Sequence, residues 1–364
     1  MSVRKKYDVF FLSIVLILLL SGFFILSSAS LGLAARADRN SYFPLIKQLL
    51  LGGGVGILLL CLTSRLYYKK WKKISFFLFV FSFLLTILVL EPHLGFEHGG
   101  AKRWLSFGSY TFQPSELLKF SFIIYLSHWL SQKRHEISSF KTGLLPFLVI
   151  VGFVGVLLIA QPDLGTFGVI SITSITLFLL AGGRFLQTGL VILSGFILLA
   201  TLIYFQPYQK ERILVFFDNS YDLQGAGYQI KQAKIALGSG GIFGQGLGKG
   251  LSKFNYLPEP MGDSIFAIVG EEFGFIGTTF IVILFFLFLF KSIHIALKTT
   301  DMFGRLLVSG IAILITVQSF VNMYAIVGLI PLTGLPLVFI SQGGSALVLA
   351  LAGTGIILNV SKKT

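Results

Sequence analysis

The feature that most constrains this chain is a series of long apolar runs. About ten stretches consist mostly of aliphatic and aromatic residues, and each spans roughly the 20 residues that a helix needs to cross the hydrocarbon core of a bilayer. The runs lie at residues 8–29, 43–64, 74–91, 114–131, 143–160, 165–182, 185–205, 263–291, 303–330 and 340–361. Only 12% of the residues are charged, about half the share in a soluble domain. The sequence therefore predicts an all-α polytopic membrane protein, with about ten transmembrane helices in one domain over residues 1–364.

The charge pattern predicts how these helices are oriented. The net charge of +14 would favour a nucleic-acid partner in a soluble protein, but Lys and Arg accumulate on the cytoplasmic loops of membrane proteins. With ten helices, most basic residues fall at one end, at both termini and in the connections near residues 65–73, 133–141, 184 and 291–305. We therefore expect both termini to be cytoplasmic and no nucleic-acid partner. Because the first run is longer than the apolar core of a secretory signal peptide, we interpret it as a retained helix.

The longest connection, at residues 206–262 between the seventh and eighth helices, is expected on the outer side. Long ordered loops usually carry function. An amphipathic stretch at 228–237 brings Lys231 and Lys234 close together, where they can meet phosphates at the membrane surface; a solvated loop helix explains the same pattern. The Gly-rich stretch at 244–250 is not a nucleotide site, because no strand precedes it and its lysine is not followed by Ser or Thr.

Two ionisable residues near the start of the fourth run are functional candidates, because charges at membrane depth are costly. Glu116 and Lys119 are three residues apart, so they share a helix face and can form an ion pair. A plain helix start also explains Glu116, with Ser115 as the cap and the carboxylate at the positive end of the dipole. Lys119 lies well inside an apolar run, and the pair therefore favours a functional role.

Acidic residues also stand at two other predicted helix starts on the outer side. Asp163, in a short turn, can cap the sixth helix or meet a substrate, and Asp263 can cap the eighth helix or act as a general base. Two turns beyond Asp263, Glu271 and Glu272 form an acidic pair that needs a cavity or a basic partner. The candidate partners are Lys102, Arg103, Lys119, Lys231 and Lys234.

Cysteine and histidine indicate no metal site. The single cysteine, Cys61, excludes an internal disulfide and is expected in the core. The five histidines do not have the spacing of metal ligands.

Several motifs occur in a fixed order over nearly the whole chain. They are Ala101-Lys102-Arg103-Trp104 with Phe112-Gln113-Pro114-Ser115-Glu116 and Lys119; Gln161-Pro162-Asp163-Leu164-Gly165-Thr166; Tyr228-Gln229-Ile230-Lys231-Gln232 with the Gly-rich stretches after it; Leu257-Pro258-Glu259-Pro260 with Asp263 and Gly270-Glu271-Glu272; and Pro331-Leu332-Thr333-Gly334-Leu335-Pro336-Leu337 with Gly343-Gly344-Ser345. Together they resemble the SEDS proteins (shape, elongation, division and sporulation), the FtsW and RodA group of peptidoglycan glycosyltransferases. The amino-acid sequence of the long loop is most similar to that of the FtsW branch.

Two short stretches depart from the family pattern. The family usually has His-Thr-Asp-Phe where this chain has Met261-Gly262-Asp263-Ser264, so the aspartate is kept and its neighbours are not. The family usually has Tyr at the position of Gln342. Both changes bear on how a substrate is positioned.

The resemblance implies polymerisation of lipid II on the outer face of a bacterial cytoplasmic membrane during cell division. It implies that Asp263 is the general base and that Arg103 and Lys119 stabilise the leaving diphosphate. Further substrate-binding candidates are Lys102, Lys231 and Ser345, while Glu116 and Asp163 would orient the cations or hold a divalent cation, Mg or Mn. The expected partners are a class B penicillin-binding protein, which supplies the transpeptidase, and divisome proteins.

Other function classes remain open at this stage. A lipid II flippase without chemistry would also place charges within a helix bundle, although the sequence shows no inverted repeat. A scaffold for division proteins leaves the buried ionisable residues unexplained. An elongation polymerase like RodA would share the same chemistry.

Overall fold

The computed structural model describes residues 7–34, 43–91, 95–98, 101–108, 110–133, 136–205, 207–218, 225–254 and 256–362. The helices are α1 Val9–Ala34, α2 Phe43–Lys47, α3 Val55–Arg65, α4 Lys69–Leu88, α5 Pro114–Gln132, α6 Leu145–Ala160, α7 Leu164–Leu180, α8 Phe185–Phe205, α9 Pro207–Phe217, α10 Ala226–Ser239, α11 Ile265–Lys298, α12 Met302–Val327 and α13 Gly344–Ser361. Short π-helical segments, Gln48–Gly54 and Phe140–Leu144, lead into α3 and α6.

The predicted all-α architecture is confirmed. Each of the ten apolar runs forms helix, and among the described residues seven helices are long and apolar enough to cross a membrane. Shorter apolar helical stretches are α7, Leu164–Leu180, and the first part of α8, Phe185–Ile197. Helix α5 carries Glu116 and Lys119 within its 19 residues. The last run begins later than predicted, at Gly344, because the residues before it form a turn: the amides of Ile340 and Ser341 donate to the Leu337 carbonyl, and that of Gln342 donates to the Met261 carbonyl.

The sequence did not predict a small antiparallel sheet before α5. It consists of β1 Gly95–His98, β2 Ala101–Phe107 and β3 Tyr110–Phe112, in the order β1-β2-β3. Gly108 makes the turn between β2 and β3 with a φ of +64°, a conformation that favours glycine. Side chains alternate across a strand, and the sheet therefore buries Arg103 while Lys102 stays half-buried.

The bundle has two chemically different ends. At one end, Tyr7 bonds the Ser64 carbonyl and Lys291 pairs with Asp8 at 2.9 Å. The basic connections between α3 and α4, between α5 and α6, and between α11 and α12 lie at this end, as the charge pattern predicts. The starts of α5 and α13 meet at the other end, where the amide of Gln113 donates to Ser345 Oγ at 3.2 Å.

Helix α11 is broken near its first turns, and the Gly-rich loop after α10 bonds the backbone groups that the break releases. Gly274 has a φ of +63° inside α11, which releases backbone groups on both sides. The Glu271 and Glu272 carbonyls accept from the amides of Gln245 and Gly246, and the amides after the break donate to carbonyls of the same loop, Phe275 to Gly241 at 2.9 Å and Ile276 to Ile242 at 3.2 Å. The Gly-rich stretch therefore has a structural use.

The acidic pair of α11 is buried and fully engaged. Glu272 binds Lys253 Nζ at 2.5 Å and Ser28 of α1 at 2.7 Å, while Glu271 accepts from the backbone amides of Leu251 and Ser252. The expected basic partners were wrong, because the cation is Lys253 from the loop itself.

Cys61 is another correction. It is exposed on the outside of α3 instead of in the core, because an apolar side chain of a membrane helix can face lipid as readily as protein.

The Lys253–Glu272 pair gives a test of this architecture. Lys253→Met leaves a buried carboxylate without its cation, which costs about 3–5 kcal/mol of unfolding free energy. We expect the unfolding temperature in detergent to fall clearly, and the double variant Lys253→Met/Glu272→Leu to recover most of the loss. Lys133→Met, which breaks an exposed pair with Glu136, is the control and should change little. An unchanged unfolding temperature in Lys253→Met would contradict this assignment.

Candidate active site

The site is organised by residues 331–337, a non-helical segment between α12 and α13, named the 331–337 segment below. Helix α12 ends at Gly328 in the left-handed conformation with a φ of +83°, and residues 331–337 after it form neither helix nor strand. Backbone carbonyls of the segment, which no regular helix or strand bonds, accept hydrogen bonds from side chains of other elements. Arg212 of α9 donates to the Leu332 carbonyl at 2.8 Å.

The first group of charges at the segment is the predicted pair on α5. Lys119 Nζ lies 2.6 Å from Glu116 Oε1, and both side chains are buried. Lys119 also donates to Gln318 Oε1 of α12 at 2.5 Å. The expectation that Ser115 caps α5 is wrong: the cap position is Gln113, and Pro114 follows it at the first turn, where its missing N–H costs nothing.

The second group joins the small sheet to the turn before α7. Arg103 of β2 donates to the Pro162 carbonyl. It also lies beside Gly334 of the 331–337 segment: a Cβ added to Gly334 would be 4.0 Å from Arg103 Nη1. Asp163 caps α7, as one interpretation of the sequence predicted, by accepting from the Thr166 amide at 3.2 Å. Within the described part of the chain, Asp163 Oδ2 and Arg103 Nε are buried without a hydrogen-bond partner. A buried carboxylate oxygen without a partner is costly, and the residue before Asp163, Pro162, carries the carbonyl that Arg103 binds.

The third group centres on Asp263, in the turn before α11. Gln229 Nε2 of α10 donates to Asp263 Oδ1 at 3.0 Å and to Ser264 Oγ at 2.9 Å. The cap position of α11 is Ser264, without a side-chain cap bond, so Asp263 is not used as a helix cap. Asn322 of α12 donates to the Asp263 carbonyl at 2.7 Å and to the Leu335 carbonyl at 2.8 Å.

The surroundings of Asp263 tune its acidity. Burial, and after it the negative charge of Glu259, raise the pKa of the Asp263 carboxyl, which lies at about 6 once all its surroundings are included. The hydrogen bond from Gln229 and the positive charge of Arg212 act in the opposite direction. A carboxylate with a pKa near 6 is ionised at neutral pH and accepts a proton more readily than an ordinary aspartate, as a general base requires.

The remaining predicted site residues lie around these groups. Ser345 stands at the start of α13 and accepts from the Gln113 amide next to α5. Lys102 is half-buried on β2, beside Arg103. Lys231 is exposed on α10, on a different side of the helix from Gln229, so the structure does not bring it to Asp263.

The two departures from the family pattern are neighbours in space. The amide of Gln342 donates to the carbonyl of Met261 at 2.7 Å, and Met261 is buried. Met261 is two residues before Asp263 along the chain, and Gln342 bonds Met261. Both departures therefore lie near Asp263.

Sequence reasoning missed the amide side chains. Gln318 links Lys119 to the 331–337 segment. Asn322 links the backbone of Asp263 to it, and Gln229 bonds the side chain of Asp263. A signal for two of them was present, because Gln318 and Asn322 are one helical turn apart in an otherwise apolar run. Gln229 was visible only as part of a motif.

Comparison with known proteins gives the relationship of this chain. The family model for FtsW, RodA and SpoVE, described as cell cycle protein, matches residues 8–364. Stage V sporulation protein E of Bacillus subtilis (strain 168) is 40% identical over 362 residues, covering 99% of this chain and 98% of that protein. A probable peptidoglycan glycosyltransferase FtsW of Geobacter sp. (strain M18) is 38% identical over 362 residues, with 99% and 98% covered.

Solved structures share the architecture. A chain from a study of the structural coordination of polymerization and crosslinking by a peptidoglycan synthase complex superposes with a TM-score of 0.78 at 29% identity, covering 98% of both chains. The rod shape determining protein RodA of Thermus thermophilus superposes with a TM-score of 0.71 at 28% identity, covering 98% of this chain and 97% of that one. The helix bundle, the ordered motifs and these similarities over the full length establish that the chain belongs to the FtsW/RodA/SpoVE family and has its fold.

Proposed function

We propose that this protein is a peptidoglycan glycosyltransferase that polymerises lipid II on the outer face of the bacterial cytoplasmic membrane during cell division. Relatives with full-length similarity are named probable peptidoglycan glycosyltransferase FtsW, which supports the reaction class. The observation that carries the proposal is the convergence of a weakly acidic Asp263 and the buried cations Arg103 and Lys119 on one short segment at one end of the bundle.

In the proposed reaction, a sugar hydroxyl of the acceptor attacks the anomeric carbon of the donor. Asp263 takes the hydroxyl proton, a new glycosidic C–O bond forms, and the bond to the lipid diphosphate breaks, with its electron pair leaving on the diphosphate. Arg103 is well suited to bind this leaving group, because a guanidinium offers five donors and Nε has no partner among the described residues. Lys119 shares its charge with Glu116 and so contributes less positive charge than an unpaired lysine.

A divalent cation is part of the proposal. The described residues contain no group of three His, Cys, Asp or Glu that could hold a metal ion, but Mg²⁺ is often bound by one or two carboxylates together with phosphates of the substrate. Asp163 Oδ2, buried without a partner, is the atom that fits this requirement, and Glu116 is the second candidate. The cation would neutralise charge on the diphosphate.

Orientation and partners follow from the same arrangement. We place the site end of the bundle outside and the basic end, with both termini, in the cytoplasm, because of the positive-inside rule. The structural similarity to a peptidoglycan synthase complex that couples polymerization and crosslinking supports a class B penicillin-binding protein as partner. The names of the full-length relatives, SpoVE and FtsW, support a role in division or sporulation over elongation.

The decisive test replaces the proposed base. Asp263→Asn keeps the size of the side chain but cannot take a proton, so we expect polymerisation of purified lipid II to fall about 10²–10⁴-fold, the usual contribution of general base catalysis. The assay measures glycan strands formed by the detergent-solubilised protein with its partner. Glu136→Gln, the same change at an exposed position of the opposite end, is the matched control and should retain full activity.

Two outcomes would contradict the proposal. Equal polymer from wild type and a well-folded Asp263→Asn variant would remove Asp263 from the mechanism. No polymer from wild type, combined with transbilayer movement of lipid II in vesicles, would favour the flippase.

The pKa of Asp263 predicts the pH dependence of the reaction. The base must be ionised, so kcat/KM should rise with pH and reach half of its plateau near pH 6, the pKa of Asp263. Gln229→Met removes a hydrogen bond to the charged form and should move this acid limb to higher pH. Glu259→Gln removes a neighbouring negative charge and should move it to lower pH. Shifts in the same direction for both variants would contradict the assignment of the limb to Asp263.

The metal proposal has its own test in Asp163→Asn. The amide keeps the oxygen that caps α7 but replaces the unpartnered oxygen with a donor, which repels a cation. We expect wild-type polymerisation to be lost in a chelator and restored by Mg²⁺ or Mn²⁺, and the variant to need at least about tenfold more metal for half-maximal activity, since losing one ligand of a hard cation weakens binding. Full activity of wild type in excess chelator would exclude the cation.

A further inference from the structure

Two amide side chains on α12 connect the halves of the site. Gln318 and Asn322 are four residues apart, so they lie on the same face of the helix. Both are almost completely buried, with 3% and 2% of their surface exposed. A buried amide is costly unless its groups are hydrogen-bonded, and the partners of these two are therefore informative.

Gln318 joins the cation to the 331–337 segment. Its Oε1 accepts from Lys119 Nζ at 2.5 Å, and its Nε2 donates to the Pro336 carbonyl at 3.3 Å. The Pro336 carbonyl cannot be reached by a helical amide, because α12 has already ended at Gly328. The side chain therefore satisfies a half-buried carbonyl and limits the positions that Lys119 can take.

Asn322 joins the base to the same segment, one turn further along α12. Its Nδ2 donates to the Asp263 carbonyl at 2.7 Å and to the Leu335 carbonyl at 2.8 Å. A flipped amide would place its oxygen against two carbonyl oxygens, so the chemistry fixes this orientation. The two bonds hold the backbone of Asp263 next to Leu335, whose neighbour in the chain, Pro336, is the partner of Gln318.

We propose that Gln318 and Asn322 act together as positioning residues that fix Asp263 and Lys119 relative to each other for glycosyl transfer. The inference rests on the proposed function. The two charged residues come from parts of the chain that are far apart in sequence, and they are joined through one helix face and through adjacent carbonyls, those of Leu335 and Pro336. The amides touch no reacting atom in this arrangement and act through the groups that they hold.

The test uses the full chain with its partner and compares Gln318→Met, Asn322→Leu and the double variant with wild type. Misplacement of a reacting group by about 1 Å can cost about 10²-fold, so we expect kcat to fall about 10- to 100-fold in each single variant, with KM within about twofold. Because both amides hold one arrangement, kcat of the double variant should be only slightly lower than kcat of the less active single variant. Ser319→Ala is the matched control: Ser319 is equally buried on α12 but bonds only the Ile315 carbonyl of its own helix.

A second variant separates positioning from folding. Gln318→Glu keeps the oxygen that accepts from Lys119 and loses only the donor to Pro336, so it should recover part of the kcat lost in Gln318→Met. Rates are expressed per folded molecule, measured by size-exclusion chromatography and thermal unfolding. Unchanged kcat per folded molecule, or a double variant that loses the product of the two single effects, would overturn the inference.

The outcomes remain distinct from those of the proposed function. If wild type polymerises lipid II and Asp263→Asn does not, the proposed function stands whatever the amide variants do. Polymerisation by wild type that is insensitive to both amides would remove only the positioning role. Absence of polymerisation in wild type would remove both.

Discussion

A polar backbone group inside a bilayer has no water to bind, so every non-helical stretch within a membrane bundle must be satisfied by the protein itself. This constraint shapes the end of the bundle that contains the candidate site. The 331–337 segment interrupts the path between α12 and α13, and its carbonyls are reached by Arg212, Gln318 and Asn322. The side chains that satisfy the segment also contact the candidate base and the buried lysine, so the need to satisfy the backbone and the need to build a site are met by the same contacts.

The break in α11 obeys the same rule by a different route. Here the freed carbonyls and amides are bonded by the backbone of the Gly-rich loop, and the loop is held in place by the buried Lys253–Glu272 pair. A Cβ at Gly244 would lie 2.2 Å from the Glu272 carbonyl oxygen, so glycine is required for the approach. The loop, α10 and the turn with Asp263 thus form one packed unit, since Gln229 of α10 bonds Asp263.

Charges in this end of the bundle are arranged unequally. The pair on α5 and the pair at Lys253 each neutralise themselves, which limits the cost of burying them. Arg103 and Asp163 retain buried polar atoms without partners in the described part of the chain, and the pKa of Asp263 is raised by burial and by Glu259. Arg103, Asp163 and Asp263, which the proposed chemistry uses, are therefore among the groups that their surroundings do not fully stabilise, as expected where function and stability compete.

The sequence alone determined the class of the fold, because runs of about 20 apolar residues have few alternatives to membrane helices. It also singled out candidate residues: Glu116 and Lys119 because an ionisable residue in such a run is costly, and Asp163 and Asp263 because they stand at predicted helix starts. The small sheet, the break at Gly274 and the partner of Glu272 were not predictable, because they depend on contacts between residues far apart in the chain. The tertiary structure alone decided which predicted charges meet. Lys231 faces away from Asp263 while Gln229, two residues earlier, contacts it, and only the packing of α10 against α11 distinguishes the two.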